Sequence, residues 1–227
     1  MSAASSSLTL GATEYQRLRA QASALGVTLD DVALERFGLY AQLLDRWGKT
    51  TNLISCRTAD ELIDRHLLDA LICDWPCGRA HAIADLGSGA GLPGVPLAIV
   101  APHRRTLLIE PRRRRASFLR AVKRDLGLDC VEVLSVRAET VGLVEPVDVA
   151  VCRAVWADDE VLRVAAPWIH EHGLLLCLRS EKHPRRAKAR GDAFVLEQVL
   201  AYRIPGGAQR RIDVYRKGPS RPDECFT

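Results

Sequence analysis

The chain has 227 residues, 48% of them hydrophobic and 26% charged, a balance that excludes a disordered or fibrous chain and fits one globular domain with a small appended helical piece. No apolar run approaches the roughly 18 residues needed to cross a bilayer, and the opening MSAASSSLTL has neither the basic nor the long apolar stretch of a secretory signal, so a cytoplasmic protein with no membrane contact is expected. Net charge is +4, and of 32 basic residues only five are Lys and 27 are Arg; the rigid guanidinium fork suits phosphate and bases, although Arg enrichment also follows from genome nucleotide composition.

The first elements in chain order are helical. Thr13 to Leu25 is the first, and a second begins at Asp30 or Asp31, acidic residues suited to capping a first turn. Ala33, Phe37, Tyr40, Leu44 and Trp47 recur at helical spacing and turn one stripe toward a core. Ala59 to Cys73 reads as a third helix, with Leu62, Ile63 and His66 near one face. Residues 1–76 thus form a helical cap, and residues 77–217 a second region.

From His81 short apolar strands alternate with helices, the pattern of a parallel sheet covered on both faces. Strands are expected at Ala82 to Leu86, Thr106 to Ile109, Cys130 to Ser135, Val147 to Cys152 and Leu174 to Leu178. Val195 to Arg203 and Ile212 to Arg216, separated by Pro205-Gly206-Gly207, read as a closing antiparallel pair, and residues 218–227 as a frayed polar tail. The seven cysteines, Cys56, Cys73, Cys77, Cys130, Cys152, Cys177 and Cys225, are odd in number and scattered among apolar neighbours, so they are expected reduced. Cys73 and Cys77 share a helical face but lack the second pair or well-placed His of a metal site; core packing is expected, and no metal.

The chemistry centres on Asp85-Leu86-Gly87-Ser88-Gly89-Ala90-Gly91-Leu92-Pro93-Gly94, between the first strand and a helix over Val95 to Val100. Glycines let the backbone turn sharply and approach a ligand, and a helix start offers free N–H groups. Gly89-x-Gly91-x-x-Gly94 also matches a dinucleotide fingerprint, so the surroundings must choose the cofactor. Asp85 would accept from an ammonium group, which suits the amino-acid end of S-adenosylmethionine and would repel a pyrophosphate. Glu110 closes the second strand, where a carboxylate accepts ribose hydroxyls, a device that nicotinamide enzymes share. Arg137-Ala138-Glu139, after the third strand, would hold an adenine edge. Jointly the three anchors favour S-adenosylmethionine over a nicotinamide. The structural alternatives are that Asp85 caps the following helix and that Glu110 pairs with the Arg112 to Arg115 run.

With Leu92-Pro93-Gly94 and Pro96, this stretch closely resembles the glucose-inhibited division protein B family, bacterial 16S rRNA guanine-N7 methyltransferases. Arg46-Trp47-Gly48-Lys49 with Asn52-Leu53, Arg65-His66-Leu67-Leu68-Asp69, Glu110 with Arg114-Arg115 and Phe118-Leu119, Arg137-Ala138-Glu139, and Cys152-Arg153-Ala154 follow the family order over residues 30 to 217. Cys152 stands where the family commonly has Ser, and Arg179-Ser180 near its Lys-Gly pair.

The resemblance implies an α/β, class I S-adenosylmethionine-dependent methyltransferase fold: a Rossmann-like, mostly parallel seven-stranded sheet with an N-terminal helical cap. It implies methyl transfer from S-adenosylmethionine to N7 of a guanine in 16S ribosomal RNA; another RNA or a small molecule is the alternative acceptor. Asp85, Gly87, Gly89, Gly91, Leu92, Glu110, Ala138, Glu139 and Arg153 would hold the cofactor, with Arg153 also the catalytic residue; the alternative for Arg153 is a structural salt bridge. His66 and Asp69 would either close the cap over the cofactor or form a buried pair without chemistry. From the residues themselves, Arg179, Lys182 and Arg210, with Arg185, Arg186, Lys188, Arg190 and Arg211, give a basic C-terminal surface that would either track the RNA backbone of the small ribosomal subunit or be a plain solvated face. A monomer is expected.

Overall fold

An acidic cap and an apolar stripe decide the longest early helix. In the computed structural model, which describes residues 8–140, 145–153, 158–180, 193–205 and 208–219, helix α1 spans Ala12–Ala24 and α2 spans Asp31–Gly48. The Asp30 side chain accepts from Ala33 N at 2.7 Å and so satisfies a first-turn donor. Ala33, Phe37, Tyr40 and Leu44 are buried as their spacing requires.

The expected third helix is not continuous. It runs as α3 (Ala59–Leu62), a π-helical turn (Ile63–Leu67) and α4 (Leu68–Leu71), followed by α5 (Asp74–Cys77). A π turn holds one residue more than an α turn, so the side chains beyond it are rotated relative to a straight helix. Leu62, Ile63, Leu67, Leu68, Ala70 and Leu71 are all buried, a face too broad for one α-helical stripe.

Seven strands follow: β1 (Ala82–Leu86), β2 (Arg105–Ile109), β3 (Val131–Leu134), β4 (Val147–Arg153), β5 (Ile169–Ser180), β6 (Phe194–Arg203) and β7 (Gln209–Lys217). Their order in the sheet is β3-β2-β1-β4-β5-β7-β6. The first five are mutually parallel, and β7 is antiparallel to both β5 and β6. Helices α6 (Gly94–Val100), α7 (Arg113–Leu126) and α8 (Asp158–Ala165) connect strands across the faces. The strand expectations hold to within a residue or two except at β7, which begins three residues early, and at β5, which begins five residues early. Its first half, His170-Glu171-His172-Gly173, is mostly exposed and so lacks an apolar signature.

Successive strand residues point to opposite faces, and both faces are covered. Ile83, Val149, Val151, Leu176 and Ile212 pack with Leu97, Cys73 and Cys77. Ala84, Leu86, Ala150, Cys152 and Cys177 pack on the other side with Val161, Leu162 and Trp168. A third cluster joins Leu18, Phe37, Tyr40 and Leu67 to Val95, Leu108, Phe118 and Val131, so the helical cap and the sheet share one core. Cys73, Cys77, Cys152 and Cys177 are buried free thiols, whereas Cys130 is exposed rather than packed. No group of three or more metal-ligating side chains occurs among the described residues.

Candidate active site

The carboxyl ends of the parallel strands meet the glycine-rich turn. Gly87, Gly89 and Gly91 take φ of 75°, 58° and 87°, conformations that side chains disfavour. The turn is fastened on every side. Gly87 N and Ser88 N both donate to Ile109 O, at 3.0 and 2.9 Å. Gly89 N donates to Glu110 Oε2 at 2.9 Å, and Arg112 N donates to Glu110 Oε1 at 2.8 Å. From the cap, the buried Tyr40 hydroxyl donates to Ala90 O at 2.7 Å.

This backbone encloses a cavity of about 390 Å³, lined by Gly87, Ser88, Gly89, Ala90, Leu92, Glu110, Ala138, Glu139 and Arg153, with Leu53, Ile109, Pro111, Arg112, Arg115 and Arg137 completing the wall. Seven of the nine expected cofactor residues are therefore brought together: Gly87, Gly89, Leu92, Glu110, Ala138, Glu139 and Arg153. Asp85 and Gly91 are not on the wall. Asp85 is 1% exposed and its Oδ2 accepts from Gly94 N at 2.9 Å, so the carboxylate fastens the start of α6 from beneath the turn. Burial pushes its pKa up to about 7, against the lowering influence of the Gly94 N–H and Arg153. A Cβ on Gly91 would lie 2.5 Å from Val95 Cγ2, so packing alone requires a glycine at this position.

Glu110 is 3% exposed and takes two backbone donors rather than pairing with the arginine side chains. A carboxylate offers about four acceptor positions, which leaves capacity for ribose hydroxyls. Arg115, the member of the Arg112 to Arg115 run expected to be structural, donates to Asn52 O at 2.8 Å and also forms cavity wall.

Arg153, the last residue of β4, has a side chain 28% exposed at the cavity wall. Its Nη1 lies 3.3 Å from His66 Nδ1 and 3.8 Å from Asp69 Oδ2. Asp69 Oδ1 in turn accepts from the Tyr202 hydroxyl at 2.6 Å. Burial, then the charges of Arg153, Arg65 and Arg210, push the His66 pKa down to about 4. Tyr202 was not singled out by the sequence, because nothing in the pattern of an edge strand marks one tyrosine as reaching a helix 133 residues away.

The basic C-terminal face is only partly as expected. Arg179 is 6% exposed and Arg211 2% exposed, the latter bonded through Nε to Asp213 at 2.7 Å, so neither presents an open phosphate contact. They sit on adjacent positions of β5 and β7, where alternation turns every second side chain inward. Arg210 is half-buried at the start of β7, beside Ser180 at the cavity-side edge of the sheet. Lys182, Arg185, Arg186, Lys188 and Arg190 lie outside the described residues.

Known structures share this architecture. The O-methyltransferase TomG of Streptomyces achromogenes, solved in complex with S-adenosylmethionine, aligns with a TM-score of 0.54 at 15% identity, covering 93% of this chain and 100% of that one. TrmN of Thermus thermophilus aligns with a TM-score of 0.51 at 18% identity over 68% of this chain and 53% of that one. The fold is that of the class I S-adenosylmethionine-dependent methyltransferases. In sequence, the ribosomal RNA small subunit methyltransferase G of Yersinia enterocolitica is 31% identical over 84% of this chain and 92% of its own length, and that of Mycolicibacterium gilvum is 36% identical over 81% and 85%. The profile of the rRNA small subunit methyltransferase G family matches residues 33–214, and the chain belongs to that family.

Proposed function

We propose that the chain transfers the methyl group of S-adenosylmethionine to N7 of a guanine in 16S ribosomal RNA, acting as a monomer in the cytoplasm. The observation that carries the reading is the single cavity wall built from the glycine turn, Glu110, Ala138-Glu139 and Arg153. Its volume of about 390 Å³ lies in the range of small-molecule sites, and its donor and acceptor set fits the cofactor. Backbone of Gly87 and Gly89 would face the amino-acid part, Glu110 the ribose, and Ala138-Glu139 the adenine. Asp85 supports this wall from below. No helix among the described residues is long and apolar enough to cross a membrane.

The cofactor supplies an electrophilic methyl on a sulfonium. Guanine N7 has a free lone pair and no proton, so no residue of the chain needs to act as a base. What the chain supplies is alignment, which is worth roughly 7 to 11 kcal/mol when two reactants are held in line. Arg153 cannot assist at N7, where positive charge accumulates; its guanidinium suits O6 of the base, a phosphate or the cofactor carboxylate. Arg112, Arg115 and Arg137 keep the wall cationic and so favour an anionic polymer at its mouth.

The test incubates the protein, labelled S-adenosylmethionine and undermethylated small subunits or their RNA, then digests the RNA to nucleosides. Label in 7-methylguanosine is expected, with RNA affinity falling at a log-log salt slope of about −0.7 per phosphate contact. Arg153→Ala should lower transfer by about 10- to 100-fold, as expected for one lost charged hydrogen bond. Label in another nucleoside, or only in small molecules without salt dependence, overturns the reading.

A further inference from the structure

We infer that Tyr202 is a positioning residue for methyl transfer: its hydroxyl fixes Asp69, and Asp69 with His66 holds the Arg153 guanidinium at the cavity wall. The inference rests on the reading of the cavity given above.

Four residues from three separate parts of the chain converge here. His66 lies in the π turn and Asp69 one turn further on in α4, Arg153 ends β4, and Tyr202 is the penultimate residue of β6. A guanidinium has donors only. His66 Nδ1, 3.3 Å from Arg153 Nη1, must therefore accept, which places the imidazole proton on Nε2 and requires a neutral ring. The low pKa of His66 agrees with that state. Arg153 is thus bracketed by a neutral acceptor and, at 3.8 Å, by a carboxylate.

At 3.8 Å the Asp69 oxygen is too far for a direct hydrogen bond to Arg153, so its pull depends on where the carboxylate is held. Asp69 is 4% exposed, and the Tyr202 hydroxyl at 2.6 Å is the hydrogen-bond donor to its Oδ1. A hydroxyl bonded to a carboxylate at that length is among the stronger neutral-to-charged bonds. Burial, the Asp69 charge and the bond to Asp69 push the Tyr202 pKa up, so the donor proton stays in place at neutral pH. Tyr202 is not itself part of the cavity wall. Its bond to Asp69 is the link by which it reaches Arg153.

Arginine has a long side chain with much rotamer entropy to lose. A guanidinium held beforehand contributes more to alignment than one that must be ordered during the reaction. His66, in the π turn, and Asp69, three residues on, both reach the same guanidinium.

The test is a double-mutant cycle between Tyr202→Phe and Arg153→Ala, read as kcat and as KM for S-adenosylmethionine on undermethylated small subunits. Tyr202→Phe alone should lower kcat about tenfold with KM changed less than about twofold, and in the Arg153→Ala background the same change should have less than about a twofold effect. Equal effects in both backgrounds would overturn the inference, because a purely structural tyrosine acts regardless of Arg153. A second measurement is independent of activity. In nitrogen-15 NMR spectra of the full chain, the Arg153 Nε–H signal, identified by its loss in Arg153→Ala, should move toward the position of free arginine in Tyr202→Phe and in Asp69→Asn. An unmoved signal in both variants sinks the positioning role. Failure of the wild-type chain to methylate RNA would instead sink the functional reading, and the NMR result would still decide this one.

Discussion

Asp85 and His66 both leave their ordinary ionisation range through burial, in opposite senses. The Asp85 pKa rises from 3.8 to about 7, so from about pH 4 to 7 the folded chain keeps a proton that the unfolded chain releases, and this contribution to stability falls as pH rises. The His66 pKa drops from 6.5 to about 4, so in much the same window the unfolded chain binds a proton that the folded chain refuses. Its contribution is lost as pH falls. Each term is on the order of 3 to 4 kcal/mol across the window, and the two oppose each other. Relative to the wild type, Asp85→Asn should therefore gain stability as pH rises from about 4.5 to 6.5, and His66→Asn should lose it. Urea midpoints at the two pH values check this, and variant curves parallel to the wild type would refute it. The glycines of the turn separate by a similar argument. Gly91→Ala would place a Cβ 2.5 Å from Val95 and 3.0 Å from Leu119 at φ +87°, and should cost about 2 to 4 kcal/mol of stability. Gly89→Ala, at φ +58° with no atom nearer than 3.7 Å, should cost only about 1 kcal/mol and act chiefly on cofactor affinity. Thermal melts and titration calorimetry distinguish the two.

At the scale of elements, α2 does more than cover the sheet. Tyr40 sits on the buried stripe that helical spacing predicts, yet its hydroxyl reaches across to Ala90 O in the turn. Burial pushes its pKa up, which keeps the donor protonated. Tyr40→Phe would leave a buried carbonyl short of its donor, a loss of about 1 to 3 kcal/mol. Because Ala90 is part of the cavity wall, S-adenosylmethionine affinity should fall as well as the melting temperature. A change in melting temperature with unaltered affinity would mean that the helix does not shape the site. The π turn belongs to the same scale: its sequence, Ile63-Asp64-Arg65-His66-Leu67, has no residue that breaks a helix, so no local signal marks the irregularity.

For the whole molecule, the decisive fact is that cap and sheet share a core running from Leu18 through Phe37 and Leu67 to Phe118 and Val131. Residues 1–76 and 77–217 are distinct in sequence pattern, but we propose that they unfold together. Trp47 packs on this shared core and edge-on to Phe118, whereas Trp168 is buried on the opposite face of the sheet. Fluorescence from single-tryptophan variants retaining one or the other should give coincident urea midpoints, as a cooperative unit requires. Separate midpoints would show two units. Removal of residues 1–76 should leave a chain that does not fold, since Val95, Phe118 and Val122 would lose their cover.

Local rules alone determined much of this protein. Apolar runs separated by helical stretches specified a doubly covered parallel sheet, and the glycine turn with Glu110 and Ala138-Glu139 located the cavity, because strand ends in such sheets must converge there. Helical spacing was enough for Phe37 and Tyr40. What required the tertiary structure was the direction of individual polar side chains. Asp85 turns beneath the loop to Gly94, and Arg179 and Arg211 are buried. Tyr202, Asp69 and Arg153 meet although they lie far apart in the chain. A sequence pattern reports periodicity, which sets faces and ends of elements; whether a charged group meets water, a ligand or a buried partner depends on which elements pack together, and that is decided only when the chain has folded.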